Sequence, residues 1–301
     1  MATRIGSFAG DEARTRVLAA YDRAMAYWPA PRDERDVETA HGATRVYGYG
    51  AEGGGVPVVL LHGQSAAPVE WAPHVAALAD GRRVFAVDRV GEPGYSTQSA
   101  PVRTAGDMAA WLEEVLAGLG LERVHLVGHS YGGWVALNHA VRAPGRVASV
   151  TVYDPPRALA PLKAGFVFGA LAQFVGPEGF RTRWFDELIG PTGLPAEEAE
   201  VQARFSLEAI RGFRIRLLPP QHMSDEELRG ITVPALVLLG GESRVHDARR
   251  AGERARRLMP GARVEVVPGA GHGIPVALFN DRVPEFVREA EGKEDRQDAR
   301  S

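Results

Sequence analysis

Short apolar runs alternate with longer stretches of helical spacing along most of the chain. Val56–Leu61, Val84–Val87, Val124–Val127, Val147–Tyr153, Ala235–Leu239 and Val264–Val267 are each four to seven residues long, rich in Val and Leu, and lack strict polar alternation. That is the pattern of strands covered on both faces. Thr104–Leu119, Tyr131–Ala143, Asp247–Leu258 and Pro275–Ala290 carry helical patterns between them. Alternating units of this size predict an α/β fold, a mostly parallel, doubly wound sheet with right-handed crossovers. Upstream, Val37–Thr39 and Thr44–Tyr49 flank His41-Gly42 and fit an antiparallel edge hairpin. Asp11–Tyr27 fits a leading helix that packs Val17, Leu18, Tyr21 and Met25 on the sheet or beside a cap.

One interval breaks the alternation. From Pro155 to about Gly230 no strand pattern occurs, and the segment is rich in aromatics, among them Phe166, Phe168, Phe174, Phe180, Trp184, Phe185, Phe205 and Phe213. It is too long for a single loop in a compact domain. The expected organisation is a discontinuous core over residues 1–155 and 231–291, a helical cap over 156–230, and a polar tail over 292–301 that frays. Apolar substrate pockets form under such lids, which makes Phe166, Phe168, Phe174 and Trp184 the candidate substrate contacts. The plainer alternative is a set of extra core helices with no substrate role.

Composition narrows the classes. The 301 residues leave room for one large domain or two ordinary ones. Lys and Arg number 35 against 38 Asp and Glu, a net charge of −3, which offers no footprint for nucleic acid or an anionic membrane. The absence of Cys excludes disulfides, thiolate metal sites and a cysteine nucleophile. The first residues lack the apolar core of a signal peptide, and no apolar run reaches the roughly 20 residues of a membrane helix, so a soluble cytoplasmic protein is expected. Usage rich in Ala, Arg and Gly fits a high-GC bacterial source. No HExxH, GxGxxG or P-loop stands in the required context, so neither metal nor cofactor is expected. A small-molecule substrate is the one partner expected; oligomeric state is not legible.

The chemistry centres on Gly128-His129-Ser130-Tyr131-Gly132-Gly133, between the strand Val124–Val127 and a helical pattern. This is G-x-S-x-G in the strand–turn–helix context that gives the motif its meaning. A turn so sharp needs glycine where a Cβ would collide with neighbouring elements, and it lifts the Ser130 hydroxyl to the N-terminus of a helix. With Leu61-His62-Gly63-Gln64, Asp88…Gly91-Glu-Pro-Gly-Tyr-Ser96 and Gly271-His272-Gly273, the chain resembles the α/β-hydrolase fold superfamily from about Thr39 to Val287. Tyr21-Asp…Trp28-Pro29 and the Gly-Glu-Pro-Gly loop look like a bacterial carboxylesterase-type branch.

The resemblance implies a division of labour. The residue after His62-Gly63 lends its backbone N–H to an oxyanion hole, which is Gln64 here, with Tyr131 as the second donor; His62 is structural. His272, in the loop Pro268–Gly273 beyond the last strand, is the expected base, because that loop lets the imidazole swing over the sheet. His129 is expected to turn away from the serine, and His125, His139, His222 and His246 to be surface or packing residues. The acid departs from the family's Gly-x-x-Asp pattern, since Gly240-Gly241-Glu242-Ser243 puts serine where aspartate is expected. Asp154, at the end of the earlier strand, is the first choice; Glu242 is the alternative, and Asp247 or no acid remains beyond them. Asp88 precedes the serine in another loop and is a poor candidate.

The expected function is a serine hydrolase that cleaves an ester, thioester or lactone of a small apolar molecule through an acyl-enzyme on Ser130. Acyl transfer, cyclisation or C–C cleavage in small-molecule biosynthesis keeps the same residues. A non-catalytic ligand-binding protein on this fold is the rival from another class.

Overall fold

The computed structural model describes residues 5–172 and 177–298. In chain order the elements are β1 (Ser7–Phe8), α1 (Asp11–Met25), β2 (Asp33–Thr39), β3 (Gly42–Tyr49), β4 (Val58–Leu61), a 3-10 turn (Pro68–Trp71) and α2 (Ala72–Leu78). There follow β5 (Val84–Val87), α3 (Ala105–Gly118), β6 (Val124–His129), α4 (Tyr131–Arg142), β7 (Val147–Tyr153), α5 (Ala164–Ala172), α6 (Glu178–Ile189) and α7 (Ala196–Gly212). The last are β8 (Phe213–Arg214), α8 (Asp225–Arg229), β9 (Ala235–Gly240), α9 (Ala248–Leu258), β10 (Ala262–Val267) and α10 (Val276–Asp298).

Eight strands form one sheet in the order β10-β9-β7-β6-β4-β5-β3-β2. All neighbours pair in parallel except β2 with β3 and β3 with β5, so the hairpin read from the sequence lies at one edge. Successive side chains of a strand point to opposite faces. Val59 and Leu61 of β4 accordingly join one apolar cluster with Trp111 of α3, Trp134 of α4 and Leu258 of α9. Val58 and Leu60 join the other, with Val17 and Tyr21 of α1, Val75 of α2 and Phe279 of α10. Burial on both faces is why these strands read as unbroken apolar runs. Helix starts follow side-chain chemistry: Thr104 accepts from the Asp107 amide at 3.0 Å to cap α3, and Asp247 accepts from the Arg250 amide at 3.0 Å to cap α9.

Three features depart from the sequence reading. The stretch expected to be free of strands contains β8, which pairs antiparallel with β1. A two-residue strand is too short to carry periodicity, and the pairing is fixed by the edge-on contact of Phe8 and Phe213, with ring centroids 5.0 Å apart. Helix α10 continues to Asp298, past residue 292 where a fraying tail is expected, because the Glu, Lys, Arg and Gln there are good helix formers. Helix α2 and the turn before it have no counterpart in the sequence pattern, since Pro68 and Pro73 interrupt the spacing. No helix among the described residues is long and apolar enough to cross a membrane.

Candidate active site

The chain order places β4 and β6 side by side at the middle of the sheet, with β5 beyond one and β7 beyond the other. Loops from their carboxyl ends diverge there and leave a crevice, the usual location of ligand sites in open α/β sheets. Ser130 follows β6 at that crevice and holds a left-handed backbone with φ 50°. The turn closes so tightly that a Cβ on Gly128 would lie 2.3 Å from the Gly132 carbonyl oxygen, and one on Gly132 would lie 1.9 Å from that of Leu61. The Ser130 amide donates to the Tyr153 carbonyl at 2.9 Å, which anchors the elbow on β7.

Three side chains from three loops meet in a line. Ser130 Oγ lies 2.8 Å from His272 Nε2, and His272 Nδ1 lies 2.5 Å from Asp154 Oδ2. A carboxylate only accepts, so Nδ1 carries the proton and the Nε2 lone pair faces the serine hydroxyl. Asp154 and His272 are buried, whereas Ser130 is partly open to the cavity. Burial pushes the His272 imidazole below its ordinary pKa against the opposing pull of Asp154, which favours the neutral, basic form. Burial alone would raise Asp154, yet His246 and His272 beside it hold its carboxyl well below the usual range. The base loop is tied from both sides: Leu188 accepts the His272 amide at 3.1 Å, Ile189 accepts the Gly273 amide at 2.8 Å, and Tyr153 donates its hydroxyl to Gly271 at 2.9 Å.

The stretch where the family pattern expects its acid contributes differently. Glu242 is exposed and lies outside the line of three, and Asp247 is exposed as the cap of α9. Ser243 is buried and donates its hydroxyl to Asp154 Oδ2 at 2.6 Å. His246, read as a surface or packing residue, is fully buried with Nε2 3.1 Å from Asp154 Oδ1, off the hydrogen-bonding direction. Its position six residues beyond β9 carries no sequence signal for that contact.

Gln64 and Tyr131 line the cavity with Ser130. The amides on either side of Gln64 are taken, Gly63 by Glu70 at 2.7 Å and Ser65 by Glu92 at 3.0 Å. The amide of Tyr131 begins α4, where the first N–H groups have no partner within the helix. The Tyr131 side chain is engaged elsewhere: its hydroxyl donates to Leu218 at 2.6 Å, and the Arg89 guanidinium lies 4.4 Å from its ring centroid. His62 is buried and accepts the Arg89 amide on Nε2 at 3.1 Å, a structural part.

The cavity over Ser130 holds about 1000 Å³ and is walled mostly by apolar residues, including Phe166, Trp184, Leu188 and Ile189 from the helices between β7 and β9. Phe168 is a correction: it is 72% exposed and does not line the cavity, because it lies on the outer side of α5. Phe174 lies outside the described residues. His129 does not bond Ser130, but it is buried and bridges Glu70 to the His272 backbone, a contact the sequence did not announce.

The chain matches the alpha/beta hydrolase family over residues 58–290. It is 31% identical over 291 residues to carboxylesterase YbfK of Bacillus subtilis, covering 94% of each chain. An uncharacterized carboxylesterase of the same organism, nap, is 30% identical over 92% of this chain and 94% of its own. Among solved structures, naproxen esterase from Bacillus subtilis superposes with a TM-score of 0.85 at 27% identity, over 92% of this chain and 99% of that one.

Proposed function

The chain belongs to the alpha/beta hydrolase family and is an ester-bond hydrolase of the carboxylesterase kind, and we propose that it works through an acyl-enzyme on Ser130. In this reading His272 Nε2 takes the Ser130 proton as Oγ attacks the acyl carbonyl. The amides of Gln64 and Tyr131 hold the oxyanion, and loss of one such donor typically costs about 3–4 kcal/mol of barrier. As the intermediate collapses, His272 returns the proton to the departing alcohol. Water then gives a proton to Nε2 as it attacks the acyl carbon. When this second intermediate collapses the acyl–Oγ bond breaks, His272 returns the proton to Ser130 Oγ and the acid is released. Asp154 holds the imidazole orientation and stabilises its charge without taking the proton. The observation that carries this reading is the unbroken line from Ser130 through His272 to Asp154, at 2.8 and 2.5 Å, with Ser130 and His272 lining the cavity and Asp154 buried behind them.

The substrate class we assign is an ester of a small apolar carboxylic acid. The aromatic wall of Phe166 and Trp184 supports it, and a volume of about 1000 Å³ admits an aromatic acyl group. The name of the naproxen esterase points the same way. We assign residues 156–230 to a cap over the site, supported by the share of the wall that α5, α6 and α7 supply. The test is hydrolysis of p-nitrophenyl esters from C2 to C12 by the wild type and Ser130→Ala. Turnover in the wild type and its loss in Ser130→Ala is expected; turnover that survives in Ser130→Ala overturns the proposal.

A further inference from the structure

Two ionisable side chains beside the line of three take no part in the chemistry above. Glu70, in the turn Pro68–Trp71, accepts the Gly63 amide on Oε1 at 2.7 Å and presents Oε2 to His129 Nδ1 at 2.9 Å. His129, the residue before the elbow serine, is buried and extends Nε2 to the His272 carbonyl oxygen at 2.8 Å. Its ring centroid is 5.0 Å from that of His272. A carbonyl and a carboxylate both accept, so both ring nitrogens of His129 donate and the ring is an imidazolium paired with Glu70. The Gly63 amide, Glu70, His129 and the His272 carbonyl thus form one connected strut that passes beside Ser130.

We propose that Glu70 and His129 are positioning residues that hold the Gln64 amide and the His272 imidazole in register across Ser130. The inference rests on the roles given above to Ser130, His272 and Gln64. Both tied loops lie beyond strand ends, where the sheet ladder no longer fixes them. The fit at their junction is close, since a Cβ on Gly63 would meet His129 Nδ1 at 3.1 Å. Burial by itself would disfavour a charged His129, yet Glu70, the His272 carbonyl and Asp154 raise its pKa. The other titratable groups near it are Tyr153 at the end of β7, its ring centroid 5.9 Å away, His62 after β4 and His74 on α2, the two histidines held below the usual value mainly by burial, with the His129 charge contributing. The same charge lowers His272. Removing it should therefore move the acid limb of kcat/KM, which reports protonation of the base, to higher pH.

The experiment compares Glu70→Gln, His129→Gln, their double variant and Glu70→Asp with the wild type on p-nitrophenyl butyrate, with Ser130→Ala as the reference. Each Gln variant is expected to lose roughly 10- to 100-fold in kcat with little change in KM, as misplacement of reacting groups does. The double variant should be no worse than the poorer single one, and Glu70→Asp, which keeps the charge, should recover part of the loss. The acid limb of His129→Gln should lie above that of the wild type. Unchanged kcat and acid limb with only a lower Tm, or losses that multiply in the double variant, overturn the inference. If the variants do not fold, nitrogen-15 spectra of wild-type histidines decide instead: one ring should stay doubly protonated to higher pH than an ordinary histidine, and its absence overturns the strut. Hydrolysis that survives in Ser130→Ala overturns the site reading and this inference with it. Hydrolysis lost there but intact in the Gln variants overturns this inference alone.

Discussion

Asp154 shows how far single residues can be read. Its place after β7, ahead of Pro155-Pro156, makes it the first choice for the acid, with Glu242 as the alternative, once serine stands where the family pattern expects aspartate. The structure puts its Oδ2 2.5 Å from His272 Nδ1 and leaves Glu242 exposed. Asp154→Asn should therefore keep the fold and lower kcat by about 10³- to 10⁴-fold, because an amide favours the wrong imidazole tautomer. Glu242→Gln should turn over like the wild type. The reverse outcome, measured on p-nitrophenyl butyrate, would move the acid to the loop after β9. The support around Asp154 was not legible. Ser243 is 89 positions away in sequence, and only the parallel pairing of β7 with β9 brings its hydroxyl to 2.6 Å. Ser243 stands out in the sequence as a serine in the family's acid position, which gives no signal for a hydroxyl bonded to Asp154, and His246 belongs to no motif.

At the level of elements, the strand–turn–helix unit from β6 to α4 was fully legible, because its glycines are dictated by neighbours that the motif itself implies. Gly132→Ala should cost about 3 kcal/mol or more, since its Cβ would lie 1.9 Å from the Leu61 carbonyl oxygen and rigid backbone has nowhere to yield. Gly145→Ala is the control: nothing lies within 4 Å of a Cβ there, and stability should change by no more than about 0.5 kcal/mol. Urea unfolding of the two variants checks the contrast, and equal midpoints would contradict the tight elbow. The central strands were legible for a related reason. Helices cover both faces of the sheet, so every position in β4, β5, β6, β7 and β9 is buried and the strands are rich in Val and Leu without strict polar alternation. The pairing of β1 with β8 was not legible, because its two residues on each side are joined across more than half the chain.

Across the whole molecule, the two apolar clusters that flank the sheet reach the wall of the cavity at Tyr131 and Leu218 of one and at Val69 and Ile274 of the other, while the aromatics of α5 and α6 lie outside both. Phe166 and Trp184 belong to neither cluster, although they line the space over Ser130. The interval that holds them was legible from its missing strands, but the direction of each aromatic was not. Helix α5 is apolar nearly all round, so its periodicity assigns no inner face, and Phe166 lines the cavity while Phe168 two positions on faces outward. Contact with α6 settles the orientation. A Cβ on Gly169 would lie 1.8 Å from Trp184 Nε1, and the rings of Phe166 and Trp184 stand 5.9 Å apart, so Trp184 is wedged between α5 and the cavity. Trp184→Ala should enlarge the cavity without opening either cluster that carries stability. The expected result is a shift of the kcat/KM optimum toward longer or bulkier acyl chains across the C2 to C12 esters, with the C2 ester little affected. A loss of stability within about 1 kcal/mol should accompany it, since a partly exposed side chain outside the clusters leaves no buried void. Selectivity that keeps the wild-type order from C2 to C12 would mean that the acyl group does not lie against α5 and α6, and the substrate would then have to lie along the Gln64 side of the cavity.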